Sequence, residues 1–205
     1  MNGLRLSGGE NFISSAEVSS RTIEMADYYY NYFGQEEVVI MTVLQGASHF
    51  AADLGRALAL KNPNLIADRV EIKTMKGVES VGEPKIKVDW RGPLPGRNLL
   101  IVEDIWHTSK TLDYLLNIVD RYDPAKVAVA ALIDKPTARP DGHSLKCDDV
   151  QVGFQVVDEF VVGGGLDWND RYRFMSHISK AHNVAEPGQP PLWVPIVPDE
   201  YAIAA

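Results

Sequence analysis

Three stretches of this chain are apolar on consecutive residues rather than on alternate ones: Val38-Val39-Ile40-Met41-Thr42-Val43-Leu44, Asn98-Leu99-Leu100-Ile101-Val102, and residues 125–133. A strand with one wet face alternates. A strand that is apolar throughout and rich in β-branched residues needs cover on both faces, which is the situation inside a parallel sheet. Helical signals lie where the crossovers of such a sheet are required. Ser14-Ser15-Ala16-Glu17 has the form of a capping box, and predicts a helix from there to about Tyr32, ended by Gly34. Phe50, Leu54, Ala57 and Leu58 space a helix over 49–60, and another is expected over 111–121. Residues 70–74, 150–152 and 160–162 read as short strands, the last two near an edge. Strands alternating with helices predict an α/β fold, a mainly parallel, doubly wound sheet flanked by helices.

The bulk properties narrow the class of partner. At 205 residues, 45% hydrophobic and 23% charged, the chain suits one domain with a sizeable core. A net charge of −8 without a Lys/Arg cluster argues against nucleic acid. The single cysteine, Cys147, cannot form an internal disulfide or a Cys-based zinc site, and reads as an incidental thiol in a reducing, cytoplasmic setting. Residues 1–10 are polar and Gly-rich rather than a signal peptide, and no apolar run approaches a bilayer span, so no membrane association is expected.

The expected domain covers 1–182, with a Pro-rich extension over 183–205. Its prolines exclude a regular helix or a central strand. Trp193, Val194 and Ile196 predict that this tail packs on the body or on a partner subunit. Residues 76–85, with Gly77, Gly82 and Pro84, are expected to form a mobile loop.

The chemistry concentrates in Leu99-Leu100-Ile101-Val102-Glu103-Asp104-Ile105-Trp106-His107-Thr108-Ser109-Lys110-Thr111. Here a buried strand ends in two acids, followed by a small polar loop and a helix. In open α/β sheets ligands bind beyond the carboxyl ends of the strands. A loop at a helix N-terminus offers unpaired N–H groups and the positive dipole end, which suit a phosphate. The hydroxyls of Thr108, Ser109 and Thr111 add donors, and Glu103 and Asp104 can hold hydroxyls or a metal beside it. Ribose plus phosphate satisfies both halves. Ser109-Lys110-Thr111 imitates the end of a P-loop, but the glycine-rich approach is absent. Taken alone, so short a motif is equally an ordinary strand–loop–helix with surface acids.

The segment resembles the phosphoribosyl pyrophosphate (PRPP) signature of type I phosphoribosyltransferases, and further segments resemble the hypoxanthine-guanine branch in the same order. Val43-Leu44-Gln45-Gly46 is similar to the pyrophosphate loop, and Ala131-Leu132-Ile133-Asp134-Lys135-Pro136 to the strand bearing the lysine that meets the base's exocyclic oxygen. Val152-Gly153-Phe154, Asp158-Glu159-Phe160-Val161-Val162-Gly163 and Leu166-Asp167-Trp168-Asn169 are similar to the base-binding hood. The resemblance, which runs from about Phe12 to about His177, implies transfer of 5-phosphoribosyl from PRPP to a purine-like base, giving a nucleoside 5′-monophosphate and pyrophosphate. It implies that Glu103 and Asp104 hold the ribose, with His107 as the third catalytic position. Thr108, Ser109, Lys110 and Thr111 would cradle the 5′-phosphate, while Gln45, Gly46 and Arg173 hold pyrophosphate. Lys135, Phe160, Val161 and Asp167 would bind the base, with Phe160 stacking on it and Asp167 carrying Mg²⁺. It also implies a homodimer or homotetramer.

The pattern departs from the family at four places. Ser109 stands where the phosphate loop has glycine, and fits if its backbone avoids positive φ. Gln45 stands for the lysine of the pyrophosphate loop, where the family has a non-proline cis peptide. Thr74-Met75 stands for a Ser-Tyr pair. His107 stands for an aspartate that faces N7 of the purine. The histidine either does the aspartate's work, or marks PRPP binding without catalysis, or marks an acceptor altered at position 7, such as a 7-deazapurine. The last is the expectation, because loss of one contact while the other matched residues remain suits a changed substrate. His49, His143, His177 and His182 show no metal spacing.

Overall fold

The computed structural model describes residues 12–73, 84–157, 160–183 and 193–195. The Thr74-Met75 pair, Asp158-Glu159 and most of the Pro-rich tail lie outside these residues, as does the predicted loop 76–85 apart from Pro84 and Lys85.

A six-stranded sheet in the order β4-β3-β2-β5-β6-β7 forms the body. Its strands are β2 (Val38–Leu44), β3 (Leu65–Lys73), β4 (Lys85–Val88), β5 (Asn98–Trp106), β6 (Lys126–Asp134) and β7 (Asp149–Gln155). All neighbours are parallel except β3 and β4. The consecutive apolar residues of each strand divide between two cores, as two-sided cover requires. Val38, Ile40, Leu100, Val102, Ala128 and Ala130 meet α1 (Ser15–Phe33) and α2 (Ser48–Ala59) on one face. Val39, Met41, Leu99, Ile101 and Val129 meet Leu112, Leu115, Leu116 and Val119 of α3 (Lys110–Val119) on the other. The capping box at Ser14 forms as read: Ser14 Oγ accepts from Glu17 N at 3.2 Å, and Ser14 N donates to Glu17 Oε2 at 2.9 Å.

A smaller antiparallel sheet joins β1 (Phe12–Ile13), β8 (Val161–Val162), β9 (Ile178–Asn183) and β10 (Trp193–Pro195) around β9. Strands β1 and β8 bring the N-terminal and post-Lys135 segments together as a hood. Two sequence expectations need correction. Val152-Gly153-Phe154, read as hood, lies in β7 at the edge of the main sheet, with Val152 in register with Ala131 and Phe154 with Ile133. Gly153 has no room for a side chain, because a Cβ there would sit 2.5 Å from the Leu132 carbonyl oxygen. Strand β5 does not stop at Val102; it pairs with β6 as far as Trp106, drawing Glu103 and Asp104 into its last residues and shortening the loop. Strand β9 gave no sequence signal, since Ile178-Ser179-Lys180-Ala181-His182-Asn183 is polar and matches neither strand template.

Topology then sets the site. From β2 the chain crosses through α2 to β3 on one side, and later returns to β5 on the other side of β2. That reversal is a switch point. Strands β2 and β5 pair only from Val38–Asn98 to Thr42–Val102, although β2 continues along β3 to Leu44 and β5 along β6 to Trp106. Beyond Thr42 and Val102 the two strands part, leaving a crevice between their carboxyl ends.

Candidate active site

A cavity of about 830 Å³ fills that crevice. The acid pair is at its floor. Glu103 is 6% exposed, and its Oε2 has no hydrogen-bond partner among the described residues. Burial, and then the adjacent Asp104 carboxylate, hold the Glu103 pKa well above the ordinary carboxylate range. Asp104 is half-buried and its Oδ1 accepts from the Ile105 N–H at 2.9 Å. An acid held this way, with an oxygen left over, is set to receive a donor such as a ribose hydroxyl.

The phosphate loop forms the next wall, with His107, Thr108, Ser109, Lys110 and Thr111 all lining the cavity. Helix α3 begins at Lys110 without a side-chain cap on its N-terminus. Its first N–H groups therefore have no intrahelical partner, and they open on the cavity wall. Ser109 overturns the condition set from sequence: it adopts φ 65, in the left-handed region.

The turn after β2 approaches from the opposite strand. The Leu44–Gln45 peptide is cis, as the resemblance implies. Gly46 lines the cavity, and a Cβ there would overlap the Asp104 carboxylate and force that side chain aside. Gln45 is not part of the lining; its carbonyl accepts from Ser48 Oγ at 2.6 Å and Ser48 N at 3.1 Å, which turns the chain into α2. Gly165, at φ 106, has no room for a Cβ against the Gly46 carbonyl oxygen, so the loop carrying Asp167 and Arg173 lies directly on this turn.

The hood closes the cavity with Phe160, Val161, Asp167 and Arg173, and Lys135 reaches it from the end of β6 although it is only 6% exposed. Phe160 meets Trp168 edge-on, with ring centroids 5.5 Å apart and planes at 87°. Arg173 donates to Asp167 Oδ1 at 2.8 Å and to the Gly165 carbonyl at 2.9 Å, while Asp167 Oδ2 accepts from Asp170 N at 2.8 Å. Among the described residues no three His, Cys, Asp or Glu side chains cluster as a metal cage. Asp167, on the cavity wall, is the kind of carboxylate that Mg²⁺ takes, one or two at a time, together with substrate phosphates and water.

Sequence reasoning missed Arg139. Its guanidinium lies 3.7 Å over the Trp106 ring and donates to the carbonyls of Trp106 at 2.8 Å and His107 at 3.1 Å. It also pairs with Asp134 at 2.6 Å, both side chains being about 5% exposed, so it ties the loop after β5 to the end of β6. Only its place four residues after Lys135 hinted at this.

A doubly wound sheet with an acid pair, a helix-terminal phosphate loop and a hooded cavity at its switch point has the type I phosphoribosyltransferase architecture. The phosphoribosyl transferase domain matches residues 15–167. The hypoxanthine-guanine phosphoribosyltransferase of Rattus norvegicus is 35% identical over 174 residues, covering 82% of this chain and 78% of the relative. That of Homo sapiens is 36% identical with the same coverage. A hypoxanthine-guanine phosphoribosyltransferase structure from Bacillus anthracis superposes with a TM-score of 0.72 at 31% identity, over 84% of this chain and 97% of that one. A hypoxanthine phosphoribosyltransferase from Staphylococcus aureus does so at 0.73 and 26%, over 83% and 90%. The chain belongs to the phosphoribosyl transferase domain family and is a PRPP-dependent transferase. No described helix is long and apolar enough to cross a membrane.

Proposed function

We propose that this enzyme transfers 5-phosphoribosyl from PRPP to a 6-oxopurine of the hypoxanthine-guanine class. The observation that carries the reading is that one cavity gathers the acid pair, the helix-terminal loop, Lys135 and Phe160. The loop from His107 to Thr111 takes the 5′-phosphate through N–H groups and hydroxyls. Glu103 and Asp104 accept from the ribose hydroxyls. Phe160 supplies a stacking face, and buried Lys135 donates to the exocyclic oxygen at position 6. A ring nitrogen of the base attacks the anomeric carbon as the bond to pyrophosphate breaks, and the base's proton leaves to the His107 imidazole or to water. Arg173 exchanges its pairing with Asp167 for the leaving pyrophosphate, which it can grip in a bidentate fork. Mg²⁺, held by Asp167 together with pyrophosphate oxygens, would neutralise the leaving charge. The anomeric carbon gains positive character, and electrostatic stabilisation of that charge does most of the work. The same proposal includes a homodimer or homotetramer acting in the cytoplasm, on the strength of the family resemblance and the single half-buried cysteine.

A second reading is favoured by His107 alone. An aspartate opposite N7 needs a ring nitrogen or its proton as partner. Opposite carbon it would be an unsatisfied buried group, at a cost of about 1–3 kcal/mol. A histidine avoids that cost and can donate to a substituent, so a 7-deazapurine or another base altered at position 7 is the alternative acceptor. Steady-state kinetics on hypoxanthine, guanine and their 7-deaza analogues separate the two. A kcat/KM of order 10⁴ M⁻¹s⁻¹ or more on the ordinary bases, with inert analogues, supports the first reading and ends the second.

A further inference from the structure

A serine in the left-handed region needs a reason to stay there, since its Cβ crowds the following carbonyl. Ser109 is 4% exposed at φ 65, at the point where the loop turns into α3. Its Oγ accepts from the indole Nε1–H of Trp106, three residues back. Indole nitrogen is a donor only, so the direction of this bond is not ambiguous. The Trp106 ring is itself fixed: Arg139 stacks on it and holds the Trp106 and His107 carbonyls, and buried Asp134 holds Arg139. Asp134 is anchored in turn by Gln155 at 3.1 Å. A continuous chain of contacts thus runs from the edge of the sheet to the residue at which the phosphate loop turns.

We propose that Trp106 is a positioning residue for PRPP, its indole N–H pinning Ser109 in the left-handed turn that a glycine adopts without help, with Arg139 as the clamp that fixes the indole. The two residues belong together: serine at the turn is workable because tryptophan stands three residues before it. The inference rests on the loop 107–111 being the 5′-phosphate site, and goes beyond it by assigning how this chain keeps that loop in shape.

The test is a mutant cycle read by PRPP affinity and by separate KM values for PRPP and base. Trp106→Phe keeps a ring for Arg139 and deletes only the N–H. It should weaken PRPP about fivefold, of the order of one net hydrogen bond, with the base KM unmoved. In a Ser109→Gly background the same Trp106→Phe change should alter PRPP affinity by less than twofold, because glycine needs no pin. Should Trp106→Phe fail to fold, Ser109→Ala against Ser109→Gly answers the same question, since alanine loses the acceptor yet keeps the Cβ and should bind PRPP more weakly than glycine. An equal penalty for Trp106→Phe in both backgrounds, or no penalty in either, overturns the proposal. Thr111→Ala separates the two levels of the argument. If it weakens PRPP while Trp106→Phe does not, the loop is the phosphate site and the pin is idle. If neither moves PRPP, the loop assignment falls and the pin falls with it.

Discussion

Glu103→Gln should make the protein more stable and less able to bind PRPP. Glu103 is 6% exposed, one of its oxygens has no partner among the described residues, and the Asp104 carboxylate is the next residue. Leaving such a group buried and unsatisfied costs about 1–3 kcal/mol, and more while it is charged. A glutamine keeps the shape and removes the charge. For a domain of this size each kcal/mol moves the melting temperature by about 2–4 °C, so relieving about 1–3 kcal/mol should raise it by about 2–12 °C at pH 8. The pH dependence has a definite sign. Burial and Asp104 raise the Glu103 pKa above its ordinary value of 4.5. A carboxylate raised in the folded state stabilises below its unfolded value and loses that contribution as pH climbs through the folded one. The advantage of Glu103→Gln should therefore be full in alkaline buffer and shrink as pH falls through the raised value toward 4.5. Scanning calorimetry of parent and variant between pH 8 and pH 5 measures it. A variant no more stable than the parent at pH 8, or a gain that does not shrink toward pH 5, would refute the idea that this acid is kept in an unfavourable environment for the sake of its ligand.

Other consequences concern single contacts. Gly46→Ala should lower transfer, since a Cβ there displaces the Asp104 carboxylate from its place in the site; full activity would mean that the position of that carboxylate does not matter. Phe160→Ala should raise the KM for the base by about 5- to 150-fold while leaving the PRPP KM within about twofold, given about 1–3 kcal/mol of stacking; equal effects on both would move Phe160 out of the base site. Arg139→Met should lower stability by about 3–5 kcal/mol by leaving the Asp134 carboxylate in the interior without its cation, and adding Asp134→Asn should recover most of that loss in thermal unfolding.

What could be read from the sequence, and what could not, follows from the range of the interactions involved. The central strands were legible because consecutive β-branched apolar residues have few alternatives, and α1 because a capping box and Gly34 mark its ends within a few residues. The site motifs were legible as a local strand–loop–helix. Strand β9 was not, because it is held by cross-strand pairing with β1, β8 and β10 and not by its own pattern. Val152–Phe154 was misplaced for the same reason: membership of β7 is decided by Ala131–Ile133, some twenty residues earlier. The left-handed turn at Ser109 and the stacking of Arg139 on Trp106 depend on three dimensions, and no local rule anticipates them.

The central claim is a transfer reaction, so the most direct measurement is pyrophosphate release from PRPP with Mg²⁺ and a panel of bases: hypoxanthine, guanine, their 7-deaza analogues, adenine and uracil. The account predicts release that depends on a 6-oxopurine or its position-7 analogue, with the matching nucleoside 5′-monophosphate formed in equal amount, and none with adenine or uracil. Tight PRPP binding with no base-dependent release would contradict it and leave a PRPP-binding protein built on a transferase fold.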